Sequence, residues 1–466
     1  MTKVPSILQL CILPVLVGVG LSILFGRVSS KVKGRWFDKL IQLFCILAIS
    51  APVFYIGMAL QYNLCYVAGL CSFVGNYVLP HSILLIVIPA LIIWQTHPYF
   101  INRTHKKSVI SNTLITGISL GFVLFVYTLL DITFGLNGFG DLLVNSINFG
   151  SYTGVLFVLI IIFFIVTLFS NLLFSGSRYI QSEYFKRKTE FIDEVNTEKE
   201  SDEITISTKI KTYLLNRLKS PYFYIGAVLV SIIIVIAISP NLLTPYSLQE
   251  AVGIYPGSWA PPSPDHPLGQ GVFGRDILAL IAWGIQDLIL FGFGAVLIGL
   301  IGGVILGVIL GYIVGKFNRW GYNAVIGSMI LFYILPIFVY VIVSMTIFGS
   351  SSLITMLTIG VLLIPSFARG FLPGVSRKSN IERGVKSLIS QIPLNFAIFA
   401  MIYTAIGFLG FSGLPYQLGN IISQARSQIL IAPWGFSWAG AMISIIILSF
   451  LLFHIGLKDY KPKLRK

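Results

Sequence analysis

Apolar residues along this chain fall into blocks of about twenty, the length that crosses a hydrocarbon core of ~30 Å. Short polar turns separate the blocks. Read in order, they predict about eleven spans, at roughly 5–25, 40–61, 82–100, 110–131, 152–174, 221–240, 288–314, 323–347, 353–372, 394–411 and 437–456. The strand-like alternation of a membrane barrel is missing, so helices must satisfy the backbone polar groups within these runs. The pattern predicts an all-α integral membrane protein.

The turns are unequal. "GRVSSKVKGRWFDK", "NRTHKK", "GKFNRW", "SRKSNIERGVK" and the tail "KDYKPKLRK" are basic, whereas the alternate turns are nearly free of Lys and Arg. Basic turns stay in the cytoplasm. The C-terminus is then inside and the N-terminus outside, as an odd number of spans requires. The first apolar run is long enough to span, so it reads as a helix rather than a cleavable leader.

One long charged segment interrupts the pattern, about Arg178 to Lys219, and it carries 8 of the 17 acidic residues. It reads as a solvated cytoplasmic linker without a core of its own. The flanking halves repeat each other. Arg35-Trp36 is followed sixteen residues on by Pro52, and Arg319-Trp320 sixteen residues on by Pro336. A Gly-rich span and a basic turn precede each pair. "GFGDLLVNSI" from Gly138 and "GLPYQLGNII" from Gly413 share Gly-x4-Leu-x-Asn-x-Ile. Corresponding spans run in the same direction, which predicts two parallel repeats of about five helices plus one connecting helix. The expected organisation is 1–176, a first half of about five spans; 177–219, the linker; and 220–466, a second half of about six.

Composition agrees with the membrane reading: 56% of residues are hydrophobic and 11% charged, against about 25% charged in a soluble domain. Mean hydropathy is +0.88. The net charge of +15 belongs to orientation-setting turns rather than to nucleic-acid binding, because no basic patch with interleaved aromatics lies on a soluble domain. Of the four cysteines, Cys11 and Cys45 lie in apolar spans as small hydrophobes. Cys65 and Cys71 share an outer turn and are able to pair in an oxidising compartment. No phosphate-binding loop, metal-ligand cluster, nucleophile elbow or carboxylate pair is visible. The chain reads as a non-enzyme that binds no metal or cofactor itself.

Ionisable residues also avoid the span centres; Asp131, Asp287, Arg369 and His454 fall near expected ends. A proton- or sodium-coupled carrier normally keeps such a group near the midplane. A polar but uncharged route, lined by Ser, Thr, Asn, Gln and kinked backbone, fits better. Pro52, Pro89, Pro336 and Pro365 interrupt spans, and proline removes a helix hydrogen bond and bends the helix. They read either as hinges around that route or as packing irregularities.

The stretch "DHPLGQGVFGRDIL" precedes the first repeat-matched span of the second half. His266-Pro267-Leu268-Gly269 makes a tight turn, and Gly274-Arg275-Asp276 opens a helix with an acidic first turn. This stretch closely resembles the "HPLGTD-x-x-GRD" signature of dipeptide/oligopeptide/nickel-type ABC importer permeases, with Gln270-Gly271 where Thr-Asp is usual. "APWGFSWAGAM" resembles an outer loop of the same subunit type. "FGLNGFGDLLVNSINFGSY", "FSNLLFSGSRY" and "GRWFDKL…SAPVFYIGMAL" resemble the partner permease subunit. The resemblance implies two permease subunits fused in one chain, the first half lacking the usual first span. It implies a multi-pass cell-membrane protein, two separate ABC ATPase subunits beneath and an extracellular solute-binding protein above.

The family's coupling motif, Glu-Ala-Ala-x3-Gly followed by Ile-x-Leu-Pro, inserts into the ATPase. Its counterpart in the first half is reduced to "FINRTHKKSVISNT", with His105, Lys106 and Lys107. In the second half Arg377, Lys378, Arg383, Gly384, Ile392 and Pro393 mark a shortened version without Glu-Ala-Ala. Three readings follow: an active importer permease for peptides or a similar small solute, a permease-derived scaffold that no longer transports, and an uncoupled channel.

Overall fold

The computed structural model describes residues 36–70, 217–218, 220–334, 337–375, 381–411 and 413–458, together with 21, 24, 83, 129–131 and 133–134. The chain divides into two compact units. The first comprises Met1–Ile49, Tyr77–Ile206 and Tyr333–Pro336, the second Ser50–Asn76, Ser207–Phe332 and Ile337–Lys466. The described residues are mostly helical, and among them the only strand-like feature is an isolated antiparallel bridge between Gln270 and Asp276.

Of the first unit, the described helix is most of α1 (Trp36–Ser50). Cys45, Ile46 and Ile49 are buried while Leu40, Leu43, Phe44 and Leu47 are exposed. That spacing separates two faces of a helix.

The second unit begins at the break that Pro52 makes. Pro52 sits at φ −59°, ψ 135° and precedes α2 (Val53–Leu60), which continues as a π-helical turn, Gln61–Val67. Cys65 is disulfide-bonded, its partner lying outside the described residues. After the linker come α3 (Pro221–Ile238), α4 (Leu248–Ala251), α5 (Ile277–Ile334), α6 (Ile337–Phe348), α7 (Ser352–Val375), α8 (Ile381–Phe408), α9 (Leu418–Ala425) and α10 (Trp434–Lys458). Among the described residues, four helical segments are long and apolar enough to cross a membrane: Pro221–Ile238, Ile277–Gly311, Gly384–Phe408 and Trp434–Lys458. They become five if the broken pair Leu43–Ser50 and Val53–Val67 is one span.

Two boundaries differ from expectation. The basic stretch 315–320 was expected to be a turn, yet α5 runs through it to Ile334. Lys316 and Arg319 interrupt the hydropathy but are good helix formers, so charge breaks the apolar run without breaking the helix. The helix expected to open at Gly274–Asp276 and the span expected from about 288 are one helix, α5, from Ile277, which places Asp287 well inside it.

Packing centres on α10, which lies against α3, α8 and α9. Helix α3 approaches closely because Gly226 faces the backbone at Phe453 and Gly456 faces the backbone at Phe223. The Phe223 and Phe453 rings meet at 5.3 Å between centroids. Toward α8, Phe396 stacks on Phe450 at 3.9 Å. On α2, Phe54 stacks on Phe408 at 4.5 Å, and Tyr55 lies against Gly440. Within lipid, helix association rests on such close van der Waals packing, because lipid tails are as apolar as the side chains.

Candidate functional site

The outer motif is a folded cap on the start of α5. Gln286 Nε2 donates to the Ala237 carbonyl at 3.0 Å, so the end of α3 lies level with Gln286. The chain between α3 and α5 contacts the first turns of α5, where Trp283 Nε1 donates to the Tyr246 carbonyl at 3.1 Å. Helix α4 opens it with a reciprocal cap: Glu250 Oε2 accepts the Ser247 N–H at 2.7 Å, and Ser247 Oγ accepts the Glu250 N–H at 3.4 Å. The Ser247 backbone N–H, and then its hydroxyl, hold the Glu250 carboxyl below its ordinary value.

Beyond α4 the loop folds on itself. Tyr255 N–H donates to the Phe273 carbonyl at 2.8 Å, Trp259 N–H to Gly271 at 3.1 Å, and Gln270 N–H to Ala260 at 2.9 Å. The proposed motif residues meet inside this fold. His266 Nδ1 lies 3.1 Å from Asp276 Oδ1, and Gln270 Nε2 lies 3.0 Å from His266 Nε2. An amide nitrogen only donates, so His266 Nε2 accepts and Nδ1–H donates to Asp276. Asp276 Oδ2 accepts the Ala279 N–H at 2.7 Å, which caps α5. Pro267 and Gly269 turn the chain, with Gly269 at φ +82° donating its N–H to the His266 carbonyl at 2.8 Å. Gly274 has φ +69°, and a Cβ there would meet the carbonyls of Tyr255 and Pro256.

Arg275 Nε donates to the carbonyls of Val252 and Gly253 at 3.0 and 3.1 Å, and its guanidinium lies 5.1 Å from the centre of the Phe273 ring. Partial burial pulls the Arg275 guanidinium below its ordinary value. Trp259 and Phe273 are the only non-glycine residues with positive φ among the described residues, at 61° and 59°. Bulky residues adopt that conformation only when their surroundings impose it. Both strained positions lie in this cap.

Gln270, the departure from the family signature, is the residue that sequence reasoning undervalued. It is buried, its Nε2 also donates to the Gly274 carbonyl at 3.0 Å, and its own carbonyl receives Trp434 Nε1 at 3.4 Å. Its substitution for Thr in the signature was the available signal.

Of the expected hinges, Pro52 lies at the break between α1 and α2. Pro365 lies within α7, which continues through it. Pro89 and Pro336 lie outside the described residues. Of the expected coupling residues, His105, Lys106, Lys107, Arg377 and Lys378 lie outside the described residues. Arg383 and Gly384 lie in the first turn of α8, while Ile392 and Pro393 lie inside that helix. Around Pro393, Ser390 Oγ donates to the Ser387 carbonyl at 2.9 Å, Gln391 Nε2 to Ser387 Oγ at 3.0 Å, and Asn395 Nδ2 to the Gln391 carbonyl at 3.0 Å. His454 Nδ1 on α10 donates to the Ser390 carbonyl.

Sequence reasoning also missed a buried junction. Asp287 on α5, Ser352 at the start of α7 and Tyr403 on α8 are each at least nine-tenths buried. Tyr403 Oη lies 2.7 Å from Asp287 Oδ2 and 2.7 Å from Ser352 Oγ.

Apolar helices of membrane-crossing length define the class: a multi-span membrane protein. No protein-family profile matches the chain. It is 27% identical over 274 residues to the dipeptide transport system permease protein DppC of Alkalihalophilus pseudofirmus, covering 53% of this chain and 88% of that protein. It is 25% identical over 261 residues to the glutathione transport system permease protein GsiD of Pectobacterium atrosepticum, covering 51% and 85%. It is 32% identical over 221 residues to the inner membrane ABC transporter permease protein YejE of Escherichia coli, covering 42% and 63%. About half of this chain is thus homologous to the permeases of dipeptide and glutathione ABC transport systems.

Proposed function

We propose that this chain forms the membrane pathway of an ATP-driven importer for peptides or a similar small solute. The observation that carries the reading is its homology to permeases of peptide and glutathione transport. The aligned share, 53% of the chain for DppC, is about the size of the 220–466 half. The remainder then serves as the second permease of a fused pair, with its missing first span supplied elsewhere or dispensed with. The protein sits in the cell membrane with its N-terminus outside and its C-terminus in the cytoplasm. Separate ATPase subunits, two by the family pattern, dock at 101–109 and 373–391, and a solute-binding protein docks above. Pro52, Pro89, Pro336 and Pro365 act as hinges of the pathway. Hydrolysis belongs to the partners, and the chain itself is no enzyme.

The reading is tested by uptake. Cells, or right-side-out vesicles loaded with ATP, carrying the intact system take up labelled di- and tripeptides in an ATP-dependent manner, and deletion of this chain abolishes it. Peptide uptake that is unchanged by deletion would refute the assignment. The reduced coupling segments favour a second reading, a permease-derived scaffold. That reading predicts that reversing the charges of Arg377, Lys378 and Arg383 leaves ATPase recovery in a pull-down unchanged; transport through those loops predicts its loss.

A further inference from the structure

We propose that Tyr403, with Asp287 and Ser352, is a latch that closes the outer end of the pathway; this rests on the transport reading above. Three helices from separate parts of the chain converge on one phenol. Tyr403 has a single hydroxyl proton and Asp287 a carboxylate that accepts. The directed chain is therefore Ser352 Oγ–H to Tyr403 Oη, and Tyr403 Oη–H to Asp287 Oδ2. Among the described residues no cation pairs with Asp287.

The phenol is fixed in place. Its ring stacks on Phe399 at 5.1 Å and 20°, and on Phe291 at 6.4 Å and 24°. Tyr403 is 1% exposed. Beside the junction, Gln286 ties α5 to the end of α3. Deeper along α8 and α10 lies an apolar layer, Phe396 on Phe450 and Phe293 beside Phe396 at 5.1 Å. A polar link of this kind has two stable conditions. Kept dry, Asp287 and Ser352 each bond to the phenol and the phenol to both, and breaking the link leaves buried polar groups unmet. If the outer ends part and water enters, the same groups are hydrated and the link no longer holds. Such an element switches between made and broken rather than yielding gradually, which is what an outer gate needs. Tyr403 acts here as a positioning residue and makes no contact with solute.

The test uses the full chain in its native membrane, with a cysteine at Thr355 as reporter. Thr355 lies three residues beyond Ser352 on α7 and is 1% exposed. A membrane-impermeant maleimide is added from outside, and labelling of the parent chain is subtracted to remove the native cysteines. Tyr403→Phe keeps the ring and its stacking and removes the hydroxyl; labelling at T355C should rise about tenfold. Asp287→Asn keeps an acceptor and should give a smaller rise, about threefold. It also serves if Tyr403→Phe fails to reach the membrane. Labelling at the parental rate in both variants would overturn the latch. Solute uptake by the unmodified chain is measured alongside: absent uptake with faster labelling sinks the transport reading but not the latch, whereas uptake with unaltered labelling sinks the latch alone.

Discussion

The two ends of the second unit differ in what their polar groups bond to. At the end that carries the cap the partners are distant in sequence: Gln270 meets Trp434, Gln286 meets Ala237, and Tyr403 meets Asp287 and Ser352. Near Pro393 most polar side chains bond within their own helix, three or four residues away. A cross-helix bond there joins His454 to the Ser390 carbonyl. Long-range bonds fix elements relative to one another, whereas local bonds leave a helix free to move as a rod. The capped end thus links its elements through polar pairs that are either made or broken, whereas the start of α8 keeps its described side-chain bonds largely to itself.

That contrast predicts a gradient of mutational cost. The largest effect should follow Gly274→Val in the cap, where a side chain meets two backbone carbonyls at φ +69°; a loss of about 3 kcal/mol is expected. Thermal unfolding of the detergent-solubilised chain measures it, and an unchanged transition would mean the cap is not a rigid frame. His266→Ala should come next, at about 2 kcal/mol, because it strips a partner from both Asp276 and Gln270. Pro393→Ala tests the other end. It restores an N–H for the Ile389 carbonyl and should leave stability unchanged or raise it by about 1 kcal/mol, while slowing uptake. A loss as large as that of His266→Ala would erase the distinction between the ends.

The smallest effect concerns pH. Glu250 is exposed and its carboxyl is held below its ordinary value by the Ser247 backbone N–H and hydroxyl. A depressed carboxyl contributes stability that is present above the unfolded value and lost as pH falls through the folded one. The α4 cap should therefore loosen on acidification, and Glu250→Gln should blunt that response. Hydrogen exchange at the α4 amides across that range is the readout; equal exchange in both chains would remove Glu250 as the cause.

The sequence made some of this legible for clear reasons. Uniform apolar runs foretold α3 and α10, because nothing interrupts them between Pro221 and Ile238 or between Trp434 and the basic tail. The outer motif was visible because glycines and a capping aspartate carry local rules. The 315–320 stretch was misjudged because hydropathy registers charge, whereas the helix registers propensity. The role of Gln270 depends on Trp434, 164 positions away, and that of Asp287 on Tyr403, 116 positions away. No local pattern encodes such pairings. Asp287 looked peripheral only because the helix opening at Gly274–Asp276 and the span from 288 were read apart, whereas they form one helix.

Purification of the intact chain from its native membrane in mild detergent, with identification of the proteins that accompany it, bears most directly on the central claim. Importer function predicts stoichiometric recovery of an ATP-hydrolysing subunit, released when the basic segment 376–386 is reversed in charge. Recovery of other membrane proteins with no ATPase, from membranes where the whole system is expressed, would contradict it.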